Sequence, residues 1–326
     1  MPDATPGTPG SGTPGSGSPG LEVLTLGETM VSLRTRAAMR LGGEAHLSIA
    51  GSESNVAIGL SRLGHHAAWL GAVGSDEPGR LIHRTLRAEG VDTSYVRFSD
   101  TDFTGFIAFD QPAHDITRVS YHRRGSAGST LTADECTAAI TSAAPKLVHL
   151  TGITPALSDT ARAATLAAAE SASQVSLDVN YRSRLWSRTA AAACLRQLLP
   201  FVQTVFASED ELDLLTDATD PVAALLDSGI TEVVVTAGGK GAWSHSPTGT
   251  LHQPALPVTV VDSIGAGDAF VSGYLSATLD DLSPEQRLTR ATTSGAFCVG
   301  AYGDWESLPT REDLTLITHT HGTALR

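Results

Sequence analysis

The chain reads as an α/β protein, a three-layer α/β/α sandwich whose central sheet is mostly parallel, with a small second β-sheet beside it. Three observations predict this. Short apolar runs rich in β-branched residues recur along the chain, many of them ending at a glycine or a polar residue. Segments with apolar residues at helical spacing lie between them. Two stretches, 29–49 and 95–124, break the rhythm with short alternating runs and turn residues. Strands that alternate with helices imply right-handed crossovers, and a parallel sheet built that way is covered on both faces.

In chain order, residues 21–26 form a compact apolar strand ending at Gly27 and Glu28. Residues 56–63 have helical spacing and stop at Gly64, and 67–73 form a strand ending at Gly74. A helix over 81–89 closes at Gly90. The alternation resumes with a strand at 147–150, an Ala-rich helix at 158–171 and a strand at 174–179. A helix at 190–199, a short strand at 204–207 and a helix at 221–226 follow. Strands at 232–236 and 258–261 complete the set, before helices opening near Ala269 and Leu288. The irregular stretches supply the strands of the small sheet.

Composition narrows the function. Among 326 residues the formal charge is −13 and no basic stripe offsets it, which argues against nonspecific nucleic-acid binding. No run of about 18 uncharged apolar residues predicts a membrane span. Residues 1–20 are Gly, Pro, Ser, Thr and little else. They read as a flexible tail, with neither the apolar core of a signal peptide nor the basic residues of a transit peptide. Cys136, Cys194 and Cys298 are odd in number and widely spaced, which suits reduced thiols in a cytoplasm. His65 and His66 are expected as a surface pair after Gly64.

The most informative segment is Asp262-Ser263-Ile264-Gly265-Ala266-Gly267-Asp268-Ala269-Phe270. At a strand-to-helix junction the first amides of the helix lack intrahelical acceptors and, with the helix dipole, form an anion site. Gly265 and Gly267 let the backbone approach a phosphate closely. Asp268 stands beside that site as a base for an attacking hydroxyl, so the pattern points to phosphoryl transfer to an alcohol. No Walker A Gly-Lys-[Ser/Thr] occurs, and Phe270 stands where a dinucleotide fingerprint needs a third small residue.

This segment resembles the C-terminal signature of the ribokinase-like (PfkB) carbohydrate kinases, D-[TS]-x-G-A-G-D-x-F. The resemblance spans roughly residues 21–310, with further motifs in the family's order. It implies a lid formed by the small sheet, which in the family often pairs between subunits, hence a homo-oligomer. It also implies ATP and Mg2+ as cofactors. Gly51-Ser52-Glu53-Ser54-Asn55 matches the family's Gly-rich segment before Asn-x-Ala, where glycine backbone and Asn touch the sugar. Ser54 or Asn55 is also a reasonable N-cap for the following helix.

Two segments are similar to the branch that phosphorylates 2-keto-3-deoxygluconate. In Tyr121-His122-Arg123-Arg124-Gly125-Ser126-Ala127, Tyr121 and Arg123 match residues that bind the sugar acid. A guanidinium suits a carboxylate because it binds in a bidentate manner. In Asp178-Val179-Asn180-Tyr181-Arg182, at a strand's carboxyl end, Arg182 matches the Arg that meets substrate or phosphate, and Asn180 is expected near the nucleotide.

Ser208-Glu209-Asp210-Glu211 lies where the family has Asn-x-x-Glu; Ser208 replaces the Asn, and Glu211 keeps the acid expected to hold magnesium through water. Thr236, Gly238, Lys240 and Gly241 match a segment around the nucleotide; the same run also suits a Gly-rich hairpin between strands. Asp304, in Gly303-Asp304-Trp305-Glu306, is expected on a substrate hydroxyl. The resemblance assigns catalysis to Asp268, Gly265, Ala266, Gly267 and Arg182. Ile107 departs from a Tyr that several family members direct at the sugar, so the acceptor can differ from 2-keto-3-deoxygluconate.

Overall fold

The computed structural model describes residues 20–113 and 116–318; the tail expected over 1–20 lies, but for Gly20, outside them. In chain order the strands are β1 (Val23–Leu26), β2 (Met30–Arg34), β3 (His46–Ala50), β4 (Ala67–Gly74), β5 (Val96–Ser99), β6 (Phe106–Ala113) and β7 (Ile116–His122). They continue with β8 (Leu147–Thr151), β9 (Val175–Asp178), β10 (Thr204–Ser208), β11 (Glu232–Thr236), β12 (Ala242–Ser246) and β13 (Gly249–Gln253). The helices are α1 (Ser52–Arg62), α2 (Glu77–Ala88), α3 (Ala133–Ala143), α4 (Asp159–Ser171), α5 (Arg188–Leu198), α6 (Pro221–Asp227), α7 (Ala266–Leu279) and α8 (Pro284–Val299).

The large sheet runs β13-β12-β11-β10-β9-β8-β1-β4-β5. It is parallel from β5 to β11, and β12 and β13 join antiparallel. Strands such as β1, β4 and β8 are buried along their whole length, as a sheet covered on both faces requires. One face packs on α3, α4, α5 and α6, through Ile140, Ala164, Leu195 and Leu225. The other packs on α1, α2, α7 and α8, through Ile58, Leu86, Tyr274 and Leu288. Three layers result, as expected.

The small sheet runs β3-β2-β6-β7. Its inner face gathers Met30, Ala50, Ile107 and Phe109, with Val119 and Ile264 against them. Ile264 belongs to the glycine loop before α7, so the small sheet and that loop share one apolar cluster.

Three expectations need correction, and one helix lies where none was expected. Residues 258–261 are not a strand: the β12–β13 hairpin occupies the sheet beyond β11, and Val260 and Val261 are exposed. Their segment instead reaches α8, the Val261 amide donating to the Val299 carbonyl at 2.7 Å. The irregular stretch from 95 begins with β5, which extends the large sheet beside β4 before the lid strands start. α3 was not read from the sequence, although Thr132 and Glu135 form its capping box. His65 is buried, not a surface residue; its Nε2 lies 3.0 Å from Ser276 Oγ and its Nδ1 3.3 Å from Glu22.

Candidate active site

A cavity of about 990 Å³ opens at the carboxyl ends of the central strands, under the small sheet. It is lined by Gly51, Ser52, Asn55, Tyr121, Arg123, Asn180, Arg182, Ser208, Glu211, Thr236, Gly265, Gly267, Asp268 and Asp304. Most of the residues singled out from the sequence therefore converge. Gly238, Lys240, Gly241 and Ala266 are absent from this lining.

Asp268 sits in the first turn of α7 and is buried. Its Oδ1 accepts from Ser52 Oγ at 2.7 Å and its Oδ2 from Asn55 Nδ2 at 2.7 Å. Ser52 Oγ in turn accepts from Asn180 Nδ2 at 2.9 Å, and the same nitrogen donates to Asp178 Oδ2 at 3.0 Å. Burial pushes the Asp268 carboxyl above the ordinary aspartate value, opposed by Ser52, Asn55 and the Arg182 charge. Burial, with Glu211 and Asp268 nearby, raises Asp178 well above that value. Two hydroxyl or amide donors thus face the ionised form of Asp268, the form a base needs.

Asn55 does not cap α1. The cap position is Gly51, without a side-chain bond, and the Asn55 amide is turned to Asp268 instead. Asn180 has φ 41°, a left-handed conformation rare for a residue with a side chain, which aims its amide at Ser52 and Asp178. Its amide nitrogen is committed to the base network, where a nucleotide contact had been expected.

Gly265 caps α7 with φ 79°, and a Cβ there would stand 2.1 Å from the Asp304 carbonyl oxygen, so only glycine fits. A Cβ on Gly267 would meet nothing within 4 Å. Among the described residues no backbone acceptor faces the amides of Gly265, Gly267 or Asp268. The Ala266 amide points back to the Ser263 carbonyl at 3.4 Å, which weakens it as an anion donor. The loop offers the open donors expected of an anion site, with Ala266 the exception.

Arg182 is exposed and lines the cavity; its carbonyl accepts the Leu185 amide at 2.9 Å, and its side chain makes no hydrogen bond or ion pair among the described residues. It forms no ion pair with Asp178, although its charge pulls the raised Asp178 value down. Arg123 is buried, its Nε donating to Glu28 Oε2 at 2.6 Å and a terminal nitrogen lying 2.5 Å from the same oxygen. Ser126 donates to the other Glu28 oxygen. Arg123 therefore lines the cavity with its charge already matched by Glu28, rather than as a free cation. Tyr121 stands partly exposed beside it, the Arg123 guanidinium 5.9 Å from its ring centroid.

Asp304, expected on a substrate hydroxyl, accepts from Arg34. Burial lifts its carboxyl to about 7; Arg34 pulls the value down, and Glu306 and Asp268 push it up. At the opposite end, Glu211 Oε1 accepts from the Tyr181 amide at 2.6 Å and Oε2 from the Ser208 amide at 2.9 Å. Each carboxylate oxygen keeps a lone pair for a water, so a water-held magnesium fits, whereas a cage of direct protein ligands does not. No group of three or more His, Cys, Asp or Glu among the described residues is arranged to hold a metal. Thr236 reaches the cavity from the end of β11. Lys240 instead pairs with Glu209 on the surface at 3.2 Å, and Gly241 is needed by the turn, where a Cβ would strike the Gln253 carbonyl at 2.1 Å.

Sequence reasoning passed over Glu28, Arg34 and Glu53. Glu53 is buried and lines the cavity, its Oε1 accepting from Thr151 and Thr154 at 2.5 and 2.6 Å while Oε2 has no partner among the described residues. Its carboxyl is raised by burial, against the pull of those two hydroxyls. The only sequence signal was Gly27, whose missing Cβ leaves the space that Glu53 fills.

A buried carboxylate, Asp268, thus stands beside open loop amides at the strand ends of a ribokinase-like fold. Residues 21–311 match the pfkB family carbohydrate kinase model, and the chain belongs to that family. It is 34% identical over 298 residues to a 2-dehydro-3-deoxygluconokinase of Thermoproteus tenax, covering 89% of this chain and 91% of that one. It is 35% identical over 309 residues to a 2-dehydro-3-deoxygluconokinase of Bacillus subtilis (90% and 94% covered). A fructokinase of Klebsiella pneumoniae is 33% identical over 282 residues (81% and 90%). Among solved structures, a putative ribokinase II of E. coli in complex with ATP and Mg2+ superposes with a TM-score of 0.83 at 22% identity, covering 91% of this chain and 98% of that one. It attests the fold.

Proposed function

We propose that the protein transfers the γ-phosphoryl group of ATP to a sugar acid, 2-keto-3-deoxygluconate being the acceptor, to give its 6-phospho form. The observation that carries this reading is Asp268, buried at the cavity wall, held by Ser52 and Asn55, and one residue from the open amide of Gly267. Asp268 takes the proton from the acceptor hydroxyl as its oxygen attacks phosphorus. The Gly265 and Gly267 amides and the Arg182 charge stabilise the negative charge that spreads over the transferring oxygens. Magnesium, when bound, neutralises phosphate charge, and Glu211 is the residue that would hold it through water.

Support for a sugar acid comes from Arg182, unpaired at the cavity, from Tyr121 and from the names of the relatives at 34% and 35% identity. A neutral-sugar kinase is the second reading, favoured by one observation: Arg123 is neutralised by Glu28, which removes one cation from the acceptor pocket. A catalytically silent sugar or nucleotide binder is the weakest of the three, since base and loop are intact. Incubation with Mg-ATP and 2-keto-3-deoxygluconate, followed by phosphorus NMR, tests the reading. A new phosphomonoester on the terminal carbon is expected, and its absence with ATP intact would exclude this acceptor.

The lid, made of β2, β3, β6 and β7 within a kinase domain over 21–326, is also proposed as the homo-oligomer contact. Leu47 and Ile116 are exposed on its two outermost strands. A cytoplasmic location is proposed on the three free cysteines; no described helix is long and apolar enough to cross a membrane.

A further inference from the structure

We propose that Arg34 is a positioning residue that clamps the glycine loop from the lid, so that the Gly265 and Gly267 amides are aligned only while the lid rests on that loop. The proposal rests on the kinase reading and adds to it a residue that none of the motifs contains. Arg34 ends lid strand β2, and its guanidinium spans two carboxylates on two different loops of the main body. One terminal nitrogen donates to Asp262 Oδ2 at 2.7 Å and the other to Asp304 Oδ1. The guanidinium carbon lies 4.0 Å from the centroid of the Phe109 ring on neighbouring β6. The side chains of Arg34, Asp262 and Asp304 are only 15%, 12% and 8% exposed, so water does little to screen the contact.

Both acids shape the loop. Asp262 Oδ1 accepts the Ile264 amide at 3.1 Å, and the Asp304 carbonyl stands where a side chain on Gly265 would be. Ile264 itself packs into the lid cluster with Met30, Ile107 and Phe109. The lid therefore grips the loop twice, by an ionic fork and by an apolar contact. A guanidinium presents parallel donors that an ammonium lacks, so it can bridge two carboxylates in fixed geometry. Without it, Asp262 and Asp304 face one another with Asp268 close by and no cation between the two loops.

Misaligned amides weaken an interaction that matters mostly in the transition state, so turnover falls more than sugar affinity does. A second readout follows from the charges around Asp304. It faces Arg34 from β2, Asp268 from α7 and Glu306 on its own segment, with Cys298 of α8 near its backbone and Asp262 across the guanidinium. Arg34 is the sole cation of that set, and its loss lets Asp304 hold a proton to higher pH.

The test compares the full-length parent with Arg34→Met and Arg34→Lys, using Mg-ATP and whichever acceptor the parent phosphorylates, 2-keto-3-deoxygluconate or fructose, across a pH series. For Arg34→Met the expected result is a kcat at least about tenfold lower, with acceptor KM within about threefold of the parent. Its acidic limb should move to higher pH, and Arg34→Lys should recover part of the loss. If Arg34→Met fails to fold, Asp262→Asn, which keeps the shape and loses the charge, is expected to give the same kcat loss. A folded variant with parental kcat and an unmoved acidic limb would overturn the clamp. A parent that phosphorylates neither acceptor would instead overturn the kinase reading itself.

Discussion

Asn55 Nδ2 lies 2.7 Å from Asp268 Oδ2, so a residue on the first helix of the chain holds a buried carboxylate, the proposed base, on the seventh. This bond favours the ionised carboxylate, against the burial that disfavours it. Asn55→Ala removes the favourable side of that balance and raises the Asp268 value further. The acidic limb of kcat/KM, measured against pH, is expected to move upward. Arg182→Gln should move it the same way, because the Arg182 charge also pulls the value down. A limb unmoved in both variants would separate Asp268 from the titrating base.

Arg123 is as much a structural as a binding residue. Its partner Glu28 is wholly buried, so Arg123→Leu leaves an unpaired carboxylate and is expected to cost about 3–5 kcal/mol in chemical denaturation. The double variant Glu28→Gln/Arg123→Met should recover most of that stability. Loss of activity in Arg123→Leu alone is therefore no measure of sugar-acid specificity. The double variant, compared on acid and neutral acceptors, is.

The two loop glycines should fail differently. Gly265→Ala forces a side chain into a left-handed conformation and against the Asp304 carbonyl, so thermal unfolding should shift downward markedly. Gly267→Ala meets no protein atom and should unfold near the parental midpoint. Its methyl group instead enters the space a phosphate would use, and the KM for ATP should rise. Equal effects of both on unfolding would contradict the geometry.

Glu53 predicts a pH dependence of stability. Its folded value is raised, so the stability it contributes is present below the unfolded value and is lost as pH rises through the folded one. Glu53→Gln keeps an acceptor for Thr151 and Thr154 without a charge to desolvate. The variant should therefore lose less stability than the parent between mildly acidic and neutral pH, in denaturant titrations at each pH.

Much of this molecule was readable before its structure was known. β1, β4, β8 and β11 are buried apolar runs, and burial on both faces is what makes a parallel strand visible as an unbroken run. The same rule misled at 258–261, a segment that meets α8 at that helix's last residue, Val299, and leaves Val260 and Val261 exposed. The convergence of Asp268, its Asn and Ser partners and the open amides was legible because they lie in short ordered motifs. Arg34 was not: its partners Asp262 and Asp304 are 228 and 270 positions away, and nothing local distinguishes it from a solvated arginine. Glu28 and Glu53 were hidden for a related reason. A lone acid in a sequence reads as surface, and the Arg or hydroxyls that permit its burial are brought to it only by the fold.

The most direct test of the central claim is ADP release with Mg-ATP and a panel of 2-keto-3-deoxy sugar acids and neutral sugars, run on the parent and on Asp268→Asn. A clearly higher kcat/KM is expected for the acids. A loss of turnover of about 10²- to 10⁴-fold is also expected in a folded Asp268→Asn variant. Equal rates on fructose would contradict the sugar-acid reading, and a fully active Asp268→Asn would contradict the mechanism.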